Sequence, residues 1–172
     1  TRADVLQSFL SDAAHVPGGF AAGTAFPRSA GETAALVRSA RRLLPIGAQS
    51  SLTGGATPRG DLVISTRALT DMTRLPGQMV RVGAGVPLAE LQRVLALDGL
   101  YYPPVPTHDG AFVGGTIATN AAGAATCKYG STRQWVEALT LVLSDGSLVE
   151  VHRGEGTASP EGWHKLQDPS SK

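Results

Sequence analysis

Several things are scarce in this sequence, and each scarcity rules something out. There is one cysteine, Cys127, so no disulfide can close within the chain. A lone thiol fits a reducing compartment, which points to the cytoplasm or the periphery of a membrane. No apolar run approaches the roughly 18 residues of a membrane-spanning helix. The start at Thr1 carries no signal-peptide pattern, and the natural N-terminus can lie upstream. Neither sign of charge dominates: 15 basic residues face 14 acidic ones, for a net charge of +1. The longest basic run is Arg41-Arg42, so nothing argues for nucleic acid as a partner. The four histidines (His15, His108, His152, His164) are scattered, with no helical pair and no C-x-x-C beside them, which argues against a metal site. G-x-x-x-x-G-K-[ST] is absent, which removes a P-loop NTPase. G-x-S-x-G is absent, which removes the usual serine-hydrolase elbow.

Glycine, by contrast, is abundant, at 21 of 172 residues. It falls in short clusters, so it marks special backbone positions rather than a repeat or a disordered chain. The length suits one domain, built as two lobes, with a real core.

Val5, Leu6, Phe9, Leu10 and Ala13 recur at helical spacing and predict an amphipathic helix over 3–14. Ser29-Ala30-Gly31-Glu32 matches a capping box. Leu36, Val37, Ala40, Leu43 and Leu44 continue it as an apolar stripe, with Arg38, Arg41 and Arg42 on a solvated face of the same helix. Leu62–Thr66 and Met79–Val82 read as strands. Pro87 opens a helix whose stripe runs over Leu88–Leu97 and which Gly99 closes. Trp135–Leu143 and Leu148–Val151 read as a β-hairpin around Asp145-Gly146. After Arg153 the periodicity stops, and residues 154–172 read as a linker or long loop that leads to a further segment.

Val82-Gly83-Ala84-Gly85-Val86-Pro87-Leu88 lies where a dinucleotide fingerprint would lie. Leu88 replaces the third glycine, Pro87 removes an N–H from the helix start, and no strand ending in an acidic residue follows at the expected distance. A tight strand-to-helix turn is the better reading. Cys127 has Lys128 beside it, which could lower a thiol pKa, but a lone buried or half-buried cysteine is the simpler account.

Two segments remain. One is "IGAQSSLTGG", Ile46 to Gly55. The other is "PTHDGAFVGGTIATNAAG", Pro106 to Gly123. Each alone reads equally well as a compact turn with close helix–strand packing. Together they form two walls of small and hydroxyl-bearing residues, with no lysine to stand in for the Walker lysine. A large ligand with an internal pyrophosphate fits them better than a free triphosphate, because backbone N–H groups and hydroxyls can hold such phosphates.

These segments carry a resemblance. "PIGAQSSLTGGATPRGDLVIS", "VRVGAGVPLAELQRVLALDGLYYPP" and "VGGTIATNAAGAATCKYGSTRQWVEALTLVLSDGSLVEV" follow one another in register from about Phe20 to Arg153. The sequence resembles the FAD-binding, PCMH-type domain of the vanillyl-alcohol-oxidase flavoproteins. Within that group it is most similar to the D-lactate and glycolate dehydrogenase branch of FAD-linked oxidases. The resemblance implies an α+β fold in two lobes, with a small mainly parallel sheet over residues 1–75 and a larger mainly antiparallel sheet over 76–153. FAD would lie between them.

By position, the resemblance implies that Ile46, Gly47, Ala48, Gln49, Ser50, Ser51 and Thr53 wrap the pyrophosphate. Pro106, Thr107, Gly110, Ala111, Phe112, Val113, Gly114 and Gly115 would line the flavin and pyrophosphate from the second lobe. Ala118, Thr119, Asn120 and Gly123 would continue that wall, and Gly130 would be a close-approach glycine. The departures are Ala48 and Gln49 where the family tends to have glycines, and Phe112 near a usually small threonine. Gln49 is expected to put an amide near the phosphates or ribose. No histidine stands in the first loop, so FAD is expected to be non-covalent. His108 is expected to pack on its turn or face solvent.

The activity implied is oxidation of a small 2-hydroxy acid by hydride transfer to flavin N5, with the chain holding only part of the machinery. The next family segment, G-S-E-G-T-L-G-like, and the substrate domain are not in this sequence. No catalytic base is identifiable. A flavin-binding module without turnover, and the flavin domain of a multi-chain electron-transfer complex, remain open beside the enzyme reading.

Overall fold

The computed structural model describes residues 3–104 and 106–156. Of the expected linker, only Gly154–Gly156 fall within them. The first lobe is a parallel sheet. β1 (Phe20–Ala25) and β2 (Leu43–Ile46) flank β3 (Arg59–Ser65), in the order β1-β3-β2. Leu43 pairs with Leu62 and Ile46 with Ser65, while β1 runs beside β3 from Phe20 to Ala25 with two register shifts.

Three helical expectations change here. The N-terminal helix α1 is Ala3–Gln7, not 3–14, and Phe9 drops instead into the core with Ile46 and Val63. Helix α2 is Ala30–Ser39, and Ala40 turns extended at φ −111°, ψ 139°. Leu43 and Leu44 therefore belong to β2, and Arg41 and Arg42 lie beyond the helix. Pairing with β3 outweighs the helical period there. Arg42 Nε bonds Asp61 Oδ1 at 3.2 Å, while Arg38, still on α2, donates to the Gly146 carbonyl at 2.8 Å. The α2 cap is half a capping box. Ser29 Oγ accepts from Glu32 N at 3.1 Å, but the Glu32 carboxylate accepts from Arg28 N at 2.8 Å, one residue earlier than the motif predicts.

Beyond β3 the chain makes a 3-10 turn at Thr66–Ala68. β4 (Met72–Leu75) and β5 (Met79–Val82) then pair antiparallel. Helix α3 (Leu88–Ala96) buries Leu88, Leu91 and Leu95 against Val86, Ala111 and Val113. Each buried leucine contributes about 1.5–3 kcal/mol relative to exposure. Short helices α4 (Val113–Ala118) and α5 (Thr126–Tyr129) follow, then the hairpin of β6 (Ala138–Val142) and β7 (Leu148–His152). Trp135 is in a 3-10 turn rather than in β6. The fold is α+β, with a parallel sheet at one end and antiparallel strand pairs with helices after it.

One connection matters for the site. β2 and β3 are parallel neighbours, so the chain must return along the sheet between them. No helix does this. Residues 47–58, the first glycine-rich loop, make the return journey alone.

Candidate functional site

The first loop leaves the carboxyl end of β2, the end of a parallel sheet where ligands tend to sit. Ile46 is its buried root, 1% exposed. What shapes the loop is not in the loop. Asp12, 4% exposed, accepts from Ala14 N at 3.0 Å and from Ala56 N at 3.2 Å. The Gln49 amide nitrogen donates to the carbonyls of Ser8 and Ser11 at 2.9 and 2.7 Å, and Gln49 O accepts from Ala13 N at 2.9 Å. The Gln49 side chain is thus turned toward the chain after α1 and not toward a ligand, contrary to the sequence expectation. Its φ of +58° is the strained backbone that those bonds hold in place. Sequence reasoning missed Asp12 because an isolated aspartate between two glycine-poor turns has no motif.

Further along, Ser51 Oγ and Thr53 Oγ1 share a hydrogen bond at 2.9 Å, and each accepts a backbone N–H two residues on. These local turns fix the hydroxyls on the loop's outer run, where Leu52 is 80% exposed.

The second loop is carried by α3. Leu88 N donates to Ala111 O and Ala89 N to Asp109 O, both at 2.9 Å. Val113 N and Gly114 N donate to Val86 O and Ala84 O, also at 2.9 Å. The first two amides of α4 are thereby used inside the protein. A Cβ on Gly114 would stand 2.7 Å from Ala84 Cβ, so that glycine serves packing. Gly83 and Gly85 do the same: their missing Cβ atoms would fall 2.2 Å from Leu69 O and 1.9 Å from Thr66 O. The G-A-G-V segment is a packing turn seated on the end of β3, not a nucleotide fingerprint.

The two loops meet. A Cβ on Gly47 would lie 3.8 Å from Phe112 Cβ and Cδ2. The chain of contacts is short: Thr66 Oγ1 reaches Ile46 O at 3.4 Å, Gly85 packs on Thr66, and Val86 holds Val113. Phe112 therefore flanks the first loop. Beyond it, Gly115, Ala118 and Thr119 are exposed, and a Cβ on Gly115 would meet nothing within 4 Å. This is open backbone of small residues beside a hydroxyl-bearing loop, which fits a long phosphate-bearing ligand laid along main chain. No lysine or arginine lies in either loop, so a highly charged triphosphate is a poorer match.

The remaining expected residues are placed as follows. Pro106 is half-buried and Thr107 exposed on the connection into the second loop. His108 lies over Gly110, whose added Cβ would be 2.9 Å from Nε2. Asn120, at φ +47°, accepts from Arg133 N through Oδ1 at 2.9 Å, and Gly123 N donates to Thr126 Oγ1 at 2.8 Å. Both bonds tie the wall to α5 and the turn after it. Gly130 has φ +75°, and an added Cβ would lie 1.3 Å from Gln134 Oε1. Its close approach is to Gln134. Among the described residues no cluster of His, Cys, Asp or Glu could hold a metal ion. No described helix is long and apolar enough to cross a membrane. A concavity of about 550 Å³ borders α2 and β1, another of about 260 Å³ lies between β1, β3 and residues 40–42, and neither is lined by a residue of the two loops.

The family profile described as "FAD binding domain" matches residues 21–152. The chain belongs to that family of PCMH-type FAD-binding domains. Similar proteins include a D-lactate dehydrogenase of Archaeoglobus fulgidus, 37% identical over 131 residues. That match covers 73% of this chain and 30% of the relative. A D-2-hydroxyglutarate dehydrogenase of Xanthomonas citri pv. viticola is 35% identical over 137 residues, covering 74% of the chain and 29% of the relative. The structure of 6-hydroxy-D-nicotine oxidase from Arthrobacter nicotinovorans superposes with a TM-score of 0.74 at 24% identity, over 87% of this chain and 34% of that one. The oxidase match speaks for the fold. The chain spans about 30% of the length of the curated relatives it matches. It is an FAD-binding domain related to that of the 2-hydroxy-acid dehydrogenases.

Proposed function

We propose that this domain holds FAD non-covalently between its two small-residue loops and serves a protein that oxidises a small 2-hydroxy acid of the D-lactate or glycolate type. The observation that carries the reading is the meeting of Gly47 with Phe112, which makes one face of two loops far apart in sequence. The names of the relatives supply the substrate class. When bound, FAD supplies a two-electron acceptor. The chain's own contribution is position. The backbone of Gly47–Ser51 and the hydroxyls of Ser50 and Ser51 would hold the pyrophosphate. Phe112, Gly115, Ala118 and Thr119 would give the ring system and phosphates a flat wall. The rest of the FAD and substrate machinery would come from the same gene product or from a second chain.

A flavin-binding module without turnover is the second reading. One experiment separates the two. The protein is loaded with FAD, made anaerobic, and mixed with D-lactate, glycolate or D-2-hydroxyglutarate while flavin absorbance is followed. Bleaching by one of these acids supports the enzyme reading. Bound flavin that none of them bleaches leaves the binding module, and failure to take up FAD overturns both.

A further inference from the structure

Arg67 is a cation with a fixed seat and no anion. It lies in the turn just past β3, at the carboxyl end of the parallel sheet, the end from which the first loop leaves β2. Its Cζ stands 5.0 Å from the ring centroid of Phe9 and 5.8 Å from that of Phe26. The two rings brace one another, tilted at 59° with centroids 5.7 Å apart. Phe9 is fully buried and Phe26 half-buried, while Arg67 is exposed. Most other arginines are used within the protein. Arg42, Arg74, Arg81, Arg93 and Arg153 face carboxylates, and Arg38 and Arg59 donate to carbonyls. Among the described residues the Arg67 guanidinium meets neither, and the two rings are its contacts.

The platform under Arg67 also carries the first loop. The Gln49 amide nitrogen donates to the carbonyls of Ser8 and Ser11, on either side of Phe9, and Phe9 packs on Ile46, the root of the loop. Beside Arg67, Thr66 Oγ1 donates to the Ile46 carbonyl at 3.4 Å. The loop has unmet groups of its own. Among the described residues the N–H groups of Ala48, Gln49, Ser50 and Ser51 find no acceptor, although all four residues are half-buried.

A run of free amides attracts an anion, but through partial charges only. A pyrophosphate is doubly charged, and neither loop carries a lysine or arginine. A guanidinium fits that need. Its fork can take two phosphate oxygens at once, and stacking on rings leaves its N–H groups free. A side chain already seated on rings loses little freedom when the anion arrives.

We propose that Arg67 supplies the positive charge the two loops lack: its guanidinium, preset on Phe9 and Phe26, binds the pyrophosphate of FAD beside the amides of Ala48–Ser51. This rests on the reading under Proposed function that the loops take FAD.

The test compares FAD with riboflavin, which has the ring system and no phosphate, by flavin fluorescence in wild type and Arg67→Met at low and high salt. Methionine keeps an apolar chain over the rings and removes the charge. Arg67→Met should raise the FAD Kd about tenfold or more and the riboflavin Kd less than about twofold. The wild-type FAD Kd should rise with salt, and the variant's should rise less. A variant that binds FAD as wild type does overturns the proposal. So does one that loses FAD and riboflavin equally, because Arg67 then only holds the fold. If Arg67→Met fails to fold, the wild-type protein decides, and an FAD Kd indifferent to salt overturns the proposal.

Inorganic pyrophosphate, followed by the NMR amide signals of residues 48–51, separates this inference from the flavin reading. Signals that move in wild type and stay still in Arg67→Met support Arg67 even if no FAD is taken up, an outcome that strikes the flavin reading alone. Signals that pyrophosphate moves equally in both proteins, or in neither, count against Arg67.

Discussion

Gly47 and Gly114 both belong to the glycine-rich loops, and the structure gives them opposite work. A Cβ on Gly47 makes ordinary contact at 3.8 Å, so Gly47→Ala costs the fold little. On the proposed reading, the same Cβ would stand on the face that meets FAD. Gly47→Ala should leave the Tm within about 2 °C of wild type and raise the FAD dissociation constant about tenfold, or 1.4 kcal/mol. Gly114→Ala meets Ala84 Cβ at 2.7 Å and overpacks the α3–α4 contact. It should cost about 1–3 kcal/mol in urea unfolding. Gly130→Ala combines φ +75° with a collision on Gln134. It should lose about 1–3 kcal/mol, and a second change, Gln134→Ala, should restore only the part due to the collision. Sequence reading marked all three glycines as site residues alike. It could not separate them, because the atom each one makes room for lies elsewhere in the chain.

At the scale of elements, the first loop is a return path between parallel strands, held by side chains outside it. Asp12→Ala removes a charged acceptor from two backbone N–H groups. It should destabilise by about 1.5–3 kcal/mol, and FAD affinity should fall with it as residues 53–57 loosen. Calorimetry and flavin titration on one sample test both effects. Asp12→Asn keeps one acceptor and should fall between. The β6–β7 turn carries a smaller signal. Ser147 donates to Asp145 through its hydroxyl and its backbone, which holds that carboxyl below the usual aspartate range. A depressed folded pKa means support that is present above the unfolded pKa and lost as pH falls through the folded one. The Asp145 carboxyl carbon should therefore titrate lower by NMR than in Ser147→Ala.

Some elements were plain in the sequence and others were not, for physical reasons. Helix α3 and the β6–β7 hairpin announce themselves by a leucine stripe and an Asp-Gly turn. β1 is "FAAGTA", too small and unalternating to declare a strand. β2 is "LLPI", and its Pro45 is tolerated because β2 lies at the sheet edge. α4 carries Gly114 and Gly115, poor helix formers, and is held from outside by Ala84 and Val86.

For the whole molecule, composition and order singled out the two loops as candidate cofactor walls, but not the contact that joins them. That contact runs from the end of β3 through Thr66, Gly85 and Val86 to Phe112, and no single stretch of sequence contains it. The central claim is that this chain holds FAD by main chain between those walls, without a covalent bond. The most direct measurement is the visible spectrum of the protein after FAD is added and excess removed, before and after acid precipitation. The account predicts flavin bands that travel with the protein and pass wholly into the acid supernatant. A colourless protein, or flavin that stays in the pellet, would contradict it.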